Sequence, residues 1–89
     1  MILALVAAIA SAQAPAAACP DVVTPQAFVC RALQASKSGD SAAAAQAFEE
    51  AAGAQTDEAE KARSWAAAGN MWIAANQPGK AALALDKAL

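Results

Sequence analysis

The chain has 89 residues, 31 of them alanine, with six Lys or Arg against eight Asp or Glu and a formal net charge of −2. This length allows one small domain, and the scattered basic residues exclude the Lys/Arg stripe that nucleic acid requires. Histidine is absent, which removes the commonest general acid–base group. Alanine dominates the hydrophobic fraction, fills little volume and releases little water when buried. A core of this material must bring helix backbones close together, with a few large side chains filling the remaining gaps.

Residues 1–12, MILALVAAIASA, open with an apolar run too short to span a membrane but suited to a secretory signal. Ala10-Ser11-Ala12 supplies small residues at a cleavage site before Gln13. The run lacks a basic residue in front of it, and a buried N-terminal helix is the alternative reading. Residues 13–24 read as an extended segment holding Cys19, with Cys30 eleven positions later. In an exported chain an even cysteine count predicts a Cys19–Cys30 disulfide; free buried thiols are the alternative. Two thiols without histidine do not make a metal site. AAAC matches a lipid-attachment box only in its small residues, with Ala16 in the usual leucine position, so anchoring at Cys19 is not expected.

Residues 25–54 read as a first helical hairpin. Thr24-Pro25 is a cap followed by a first-turn proline, and Phe28, Val29, Ala32, Leu33 and Ala35 recur at helical spacing. SKSGD breaks the pattern, with Gly39 suited to a left-handed position and Asp40 or Ser41 to a cap. SAAAAQAFEEAA forms the second helix, ending near Gly53. Residues 55–89 form a second hairpin. Thr56 or Asp57 opens the third helix, Asp57 and Glu60 fit the capping-box spacing, and the helix runs to about Asn76. Pro78 then starts the fourth helix. The fold expected is all-α, in two helix-turn-helix hairpins.

The two hairpins repeat each other. At an offset of 37 positions Phe28 falls on Trp65, Ala32 on Gly69, Ala35 on Trp72, Ala44 on Ala81, Phe48 on Leu85 and Ala51 on Ala88. Matching large and small residues mark a repeat array. W-x2-A-G-x2-W-x8-A-x3-L-x2-A, from Trp65 to Ala88, resembles a tetratricopeptide repeat. The first unit matches it at Phe28, Ala32, Gly39, Asp40, Ala44, Phe48 and Ala51, but has Arg31 and Ala35 where the family has larger apolar residues. The 37-residue spacing exceeds the family's period by three, and a longer turn around GAQTDEAE is expected to hold the difference.

The resemblance implies a short α-solenoid behind a signal peptide. Small residues would admit close helix packing, with Gly69 as a packing glycine and the tryptophans as core. It also implies a concave groove for peptide segments, lined by Gln26, Val29, Leu33 and Ser36 from the first unit and Arg63, Ala66, Asn70 and Ile73 from the second. Arg63 and Asn70 could hold a peptide carboxylate or backbone. The family's basic clamp for terminal carboxylates has a lysine where Ala66 stands, so that mode is not expected.

No catalytic constellation is present: Glu49, Glu50, Asp57, Glu58 and Glu60 read as solvated surface, Ser64 has no neighbouring base, and no phosphate loop occurs. No cofactor and no small-molecule substrate are expected. Leu83, Leu85 and Leu89 leave apolar surface on the terminal hairpin, pointing to a fragment of a longer array, self-association through that hairpin, or a partner that covers it. The first two are favoured. The function expected is an exported interaction scaffold of the periplasm or cell envelope that binds a protein or peptide; the alternative is a self-associating structural domain.

Overall fold

The computed structural model describes residues 18–89, so the expected signal segment and residues 13–17 lie outside the described part. Four helices follow: α1 (Pro25–Lys37), α2 (Ser41–Ala54), α3 (Glu58–Ala74) and α4 (Pro78–Ala88). No strand occurs among the described residues. Each helix packs chiefly on its neighbours in chain order.

Local chemistry sets the helix starts. Thr24 Oγ1 accepts from the Ala27 amide at 3.2 Å, and Pro25 fills the first turn. Asp40 Oδ1 accepts from the Ala43 amide and Asp57 Oδ1 from the Glu60 amide, both at 3.1 Å. Each bond satisfies a donor that the first helical turn leaves without an intrahelical partner. The capping box at Asp57 is only half made. The Glu60 carboxylate pairs with Arg63 instead of turning back, and the Asp57 amide donates to Gln55 Oε1. α4 has no side-chain cap and relies on Pro78.

The turns inside the two hairpins are the same backbone object. In the first, Ser38, Gly39 and Asp40 donate their amides to the carbonyls of Gln34, Ser36 and Ala35. Thirty-seven positions on, Ala75, Asn76 and Gln77 donate to Met71, Ile73 and Trp72. Both sets close a Schellman turn, which needs a left-handed residue. Gly39 supplies it at φ +84° and Asn76 at φ +59°. Asn76 tolerates that conformation through its short polar side chain, and this is why α3 stops at Ala74, two residues short of expectation.

One expectation is corrected. GAQTDEAE is not a longer turn, because only residues 55–57 separate α2 from α3, as 38–40 and 75–77 separate the other pairs. The extra length is helical. α3 begins at Glu58, about one turn before Ala62, the position that matches the Pro25 start of α1.

The core is built mainly of alanine. Ala32, Ala44, Ala45, Ala51, Ala52 and Ala68 are wholly buried, and Trp72 is the largest buried side chain. Ala45, Ala68, Trp72, Ala81 and Ala84 form one cluster, with Phe48, Trp65 and Met71 packed at its margin. Gly69 sets the distance between α3 and α4. A Cβ there would lie 2.6 Å from both Leu85 Cγ and Leu85 Cδ2, and 3.4 Å from the Ala81 carbonyl oxygen. Gly69 therefore acts as the expected packing glycine.

Replacing it tests that role. Overpacking costs about 1–3 kcal/mol, while alanine gains about 1 kcal/mol of helix propensity over glycine. Gly69→Ala is expected to lower the urea-unfolding free energy by up to about 2 kcal/mol. In a Leu85→Ala background the same change should become neutral or stabilising. Stabilisation by Gly69→Ala in the native sequence would remove the packing role.

Candidate functional site

Cys19 and Cys30 are bonded, joining the N-terminal segment to α1 across a sequence separation of 11. A closed loop of this size contributes about 3 kcal/mol in the chain-entropy model. Arg31 secures the segment further, donating to the Pro20 and Val22 carbonyls at 2.7 and 2.8 Å. Its guanidinium also stands 5.1 Å from the centre of the Phe28 ring. Arg31, a departure from the repeat pattern, thus has a structural reason. Its equivalent Ala68 is buried in the cluster with Ala45 of α2, whereas Arg31 meets the extended segment.

The tryptophans are tied down from two directions. Trp72 Nε1 donates to Glu49 Oε2 at 2.9 Å, bridging α3 to α2. Lys80 Nζ lies 4.7 Å from the Trp72 ring centre, and Lys87 Nζ lies 4.4 Å from that of Trp65. Both pairs are spaced seven apart on facing helices, so two cation–π contacts run along one side of the α3–α4 pair. Glu49 was expected as solvated surface. It is half-buried and holds the only Trp72 donor, which corrects that reading.

The expected groove residues separate into two groups. Gln26 and Val29 line a cleft of about 250 Å³ with Pro25, Gln55 and Glu60, closed on its far side by the start of α3. Their equivalents Arg63 and Ala66 line a cleft of about 670 Å³ between α3 and α4. Leu33, Ser36, Asn70 and Ile73 are exposed on α1 and α3 and border neither cleft. Leu33 and Ile73 are 53% and 57% accessible, high for large apolar side chains. The packing residues Phe28, Ala44, Ala51, Trp72 and Ala81 are buried, while Phe48, Trp65, Leu85 and Ala88 are half-buried.

No helix among the described residues is long and apolar enough to cross a membrane. Nor do those residues include a group of three or more His, Cys, Asp or Glu placed to hold a metal ion. No family model matches the chain, and neither a curated protein nor a solved structure matches it.

The Glu49–Trp72 bond gives a direct measurement. Glu49→Ala leaves the indole donor unpaired in a buried setting and is expected to lower stability by about 1–3 kcal/mol. Glu49→Gln keeps an acceptor and should cost less than half as much, read by thermal unfolding with tryptophan fluorescence. Equal losses for both variants would show that the bond carries no stability.

Proposed function

We propose that this chain is an exported, non-enzymatic interaction module of the tetratricopeptide type, binding a peptide segment of a partner along α1 and α3. The observation that carries the reading is the 37-residue repeat. Turn hydrogen bonds, left-handed residues and small–large packing positions recur together from Gly39 to Asn76 and from Ala32 to Gly69.

A short array of stacked hairpins presents its first helices side by side, and partner contacts then come from residues left outside the packing. Leu33 and Asn70 hold equivalent positions, as do Ser36 and Ile73, and all four are exposed. Leu33 and Ile73 offer apolar anchors, and Asn70 offers a donor and an acceptor to a peptide backbone. Val29, one turn before Leu33 on α1, lines a separate cleft with Gln26. Binding along this face uses surface complementarity and no bond-making chemistry.

The Cys19–Cys30 bond is compatible with an oxidising compartment, and the apolar run before it suits a cleaved leader. Periplasm or cell envelope is the location we infer. Mass spectrometry of material exported by a bacterial host is expected to give an N-terminus at Gln13 with oxidised thiols. An intact Met1 with reduced thiols would remove export from the reading.

Peptide binding is tested by selecting ligands from a displayed random library and titrating them against variants. Leu33→Asp and Ile73→Asp are expected to weaken selected peptides at least tenfold, about 1.4 kcal/mol. Leu83→Asp, on α4 beside the lysine-covered tryptophans, should leave them unchanged. Failure to select any peptide, or equal loss with Leu83→Asp, would sink the groove.

A further inference from the structure

A further cleft, of about 320 Å³, runs between α2 and α4 over the two tryptophans of α3. Lys80, Leu83 and Lys87 stand on its α4 wall, and Gln46 and Glu49 on its α2 wall. Neither lysine has a carboxylate partner among the described residues, where the ion pairs are Arg31–Asp21 and Arg63–Glu60. Each ammonium lies over an indole instead. The ring engages one side of the cation and leaves donors for an anion. Glu49 is the one carboxylate in the lining, and it already accepts from the Trp72 indole. Between the two lysines Leu83 is 68% exposed.

The repeat itself leaves this wall open. Thirty-seven positions before Lys80, Leu83 and Lys87 stand Ala43, Gln46 and Glu50 of α2. Gln46 and Glu50 are exposed although α3 packs on α2. A helix packing on α4 as α3 packs on α2 would therefore leave Leu83 and Lys87 uncovered. Where α2 carries alanine, glutamine and glutamate, α4 carries two cations and a large apolar side chain. The tryptophans account for the lysines. Leu83 takes no part in the core cluster, and its exposure has no packing reason.

We propose that this cleft docks an acidic peptide segment of a partner protein, with an apolar residue midway between two carboxylates. Charge complementarity selects that occupant, because two cations line the cleft against one engaged carboxylate. Lys80 and Lys87 share a face of α4 and stand about 10 Å apart along it. In an extended segment alternate side chains share a face, at about 3.3 Å per residue. Acidic residues four positions apart then reach both ammoniums through the flexible lysine stems, and the residue midway meets Leu83. Gln46, on the opposite wall, offers an amide donor and acceptor to the segment's backbone. No two acidic residues among these 89 stand four positions apart, which turns the choice from a second copy of this chain to a different protein.

This surface is separate from the face of α1 and α3, because Leu33, Asn70 and Ile73 border no part of it. The probe is a displayed library of short peptides with two glutamates fixed four positions apart and leucine midway. Selected peptides are titrated against the full, oxidised chain by tryptophan fluorescence, since Trp65 and Trp72 floor the cleft. Saturable binding is expected, weaker at high salt and at least tenfold weaker when both peptide glutamates become glutamine. Lys80→Gln combined with Lys87→Gln should weaken it at least tenfold, and Lys80→Arg with Lys87→Arg should keep it within about threefold. Leu83→Asp, which spares peptides held on α1 and α3, should weaken these at least tenfold. Unchanged far-UV circular dichroism confirms that the variants fold. Ile73→Asp should leave binding intact, separating this result from failure of the α1–α3 face. The proposal is overturned by no saturable binding below about 1 mM, or by affinity indifferent to the glutamine peptides or the glutamine variants. Sedimentation with phosphatidylserine vesicles without peptide binding would overturn it in favour of a lipid surface.

Discussion

Alanine excludes water from a core only when the helices that carry it nearly touch, and the whole molecule is organised around achieving that approach. A methyl group reaches a short distance from its backbone, so two alanine-lined helices at ordinary leucine spacing would leave a gap. At the α3–α4 crossing the chain goes further and removes the methyl. Gly69 lets Leu85 lie where a Cβ would stand, with both Leu85 Cγ and Cδ2 at 2.6 Å from that point. The conformational cost of glycine in a helix, about 1 kcal/mol, is offset by dispersion contacts that a wider spacing would forfeit. Trp72 then spans the remaining volume, and the Glu49 carboxylate accepts its only polar donor. The tryptophan is acceptable in the core because α2 supplies that acceptor.

The same backbone unit meets three different neighbours along the chain, and one register position in each shows how. The inner face of α3 carries Ala68 and is covered by α2. The matching face of α1 carries Arg31 and is covered by an extended segment, which offers backbone carbonyls instead of alanine methyls. A guanidinium suits that cover, because its Nη2 alone donates to both carbonyls. On the other side, Glu49 of α2 meets an indole, while its equivalent Asp86 of α4 faces solvent. The repeat is thus a fixed packing module whose terminal faces are rewritten for their surroundings.

Much of this could be read from the sequence because it is local. Thr24, Asp40, Asp57 and Pro78 announce helix starts through bonds that reach three residues or fewer, and Gly39 announces a left-handed turn through its missing side chain. The 37-residue offset predicted which small residues pack, since the same geometry had to be satisfied twice. Misreadings arose where the deciding partner is distant or where helix length absorbs an insertion. The Glu49–Trp72 bond joins residues 23 apart in sequence, and nothing near Glu49 marks it as other than surface. The extra residues assigned to a loop are helical, because the Asp57 cap stands about one turn before the position that matches the start of α1. Lys80 and Lys87 looked like scattered surface charge. Their spacing of seven, equal to that of the tryptophans, was a signal that could have paired them.

α4 packs on α3 through two different chemistries. Its lysine ammonium groups lie over the Trp72 and Trp65 rings. On the same side Leu83 stays 68% exposed. Ala81 and Ala84 are buried against α3 and complete the alanine core. The face of Ala82, Asp86 and Leu89 is also exposed and borders the cleft between α3 and α4. The two tryptophans take the available lysines because they present the largest apolar surface. Asp86 is the acidic group on the face of Ala82 and Leu89, at the position where α2 carries Glu49.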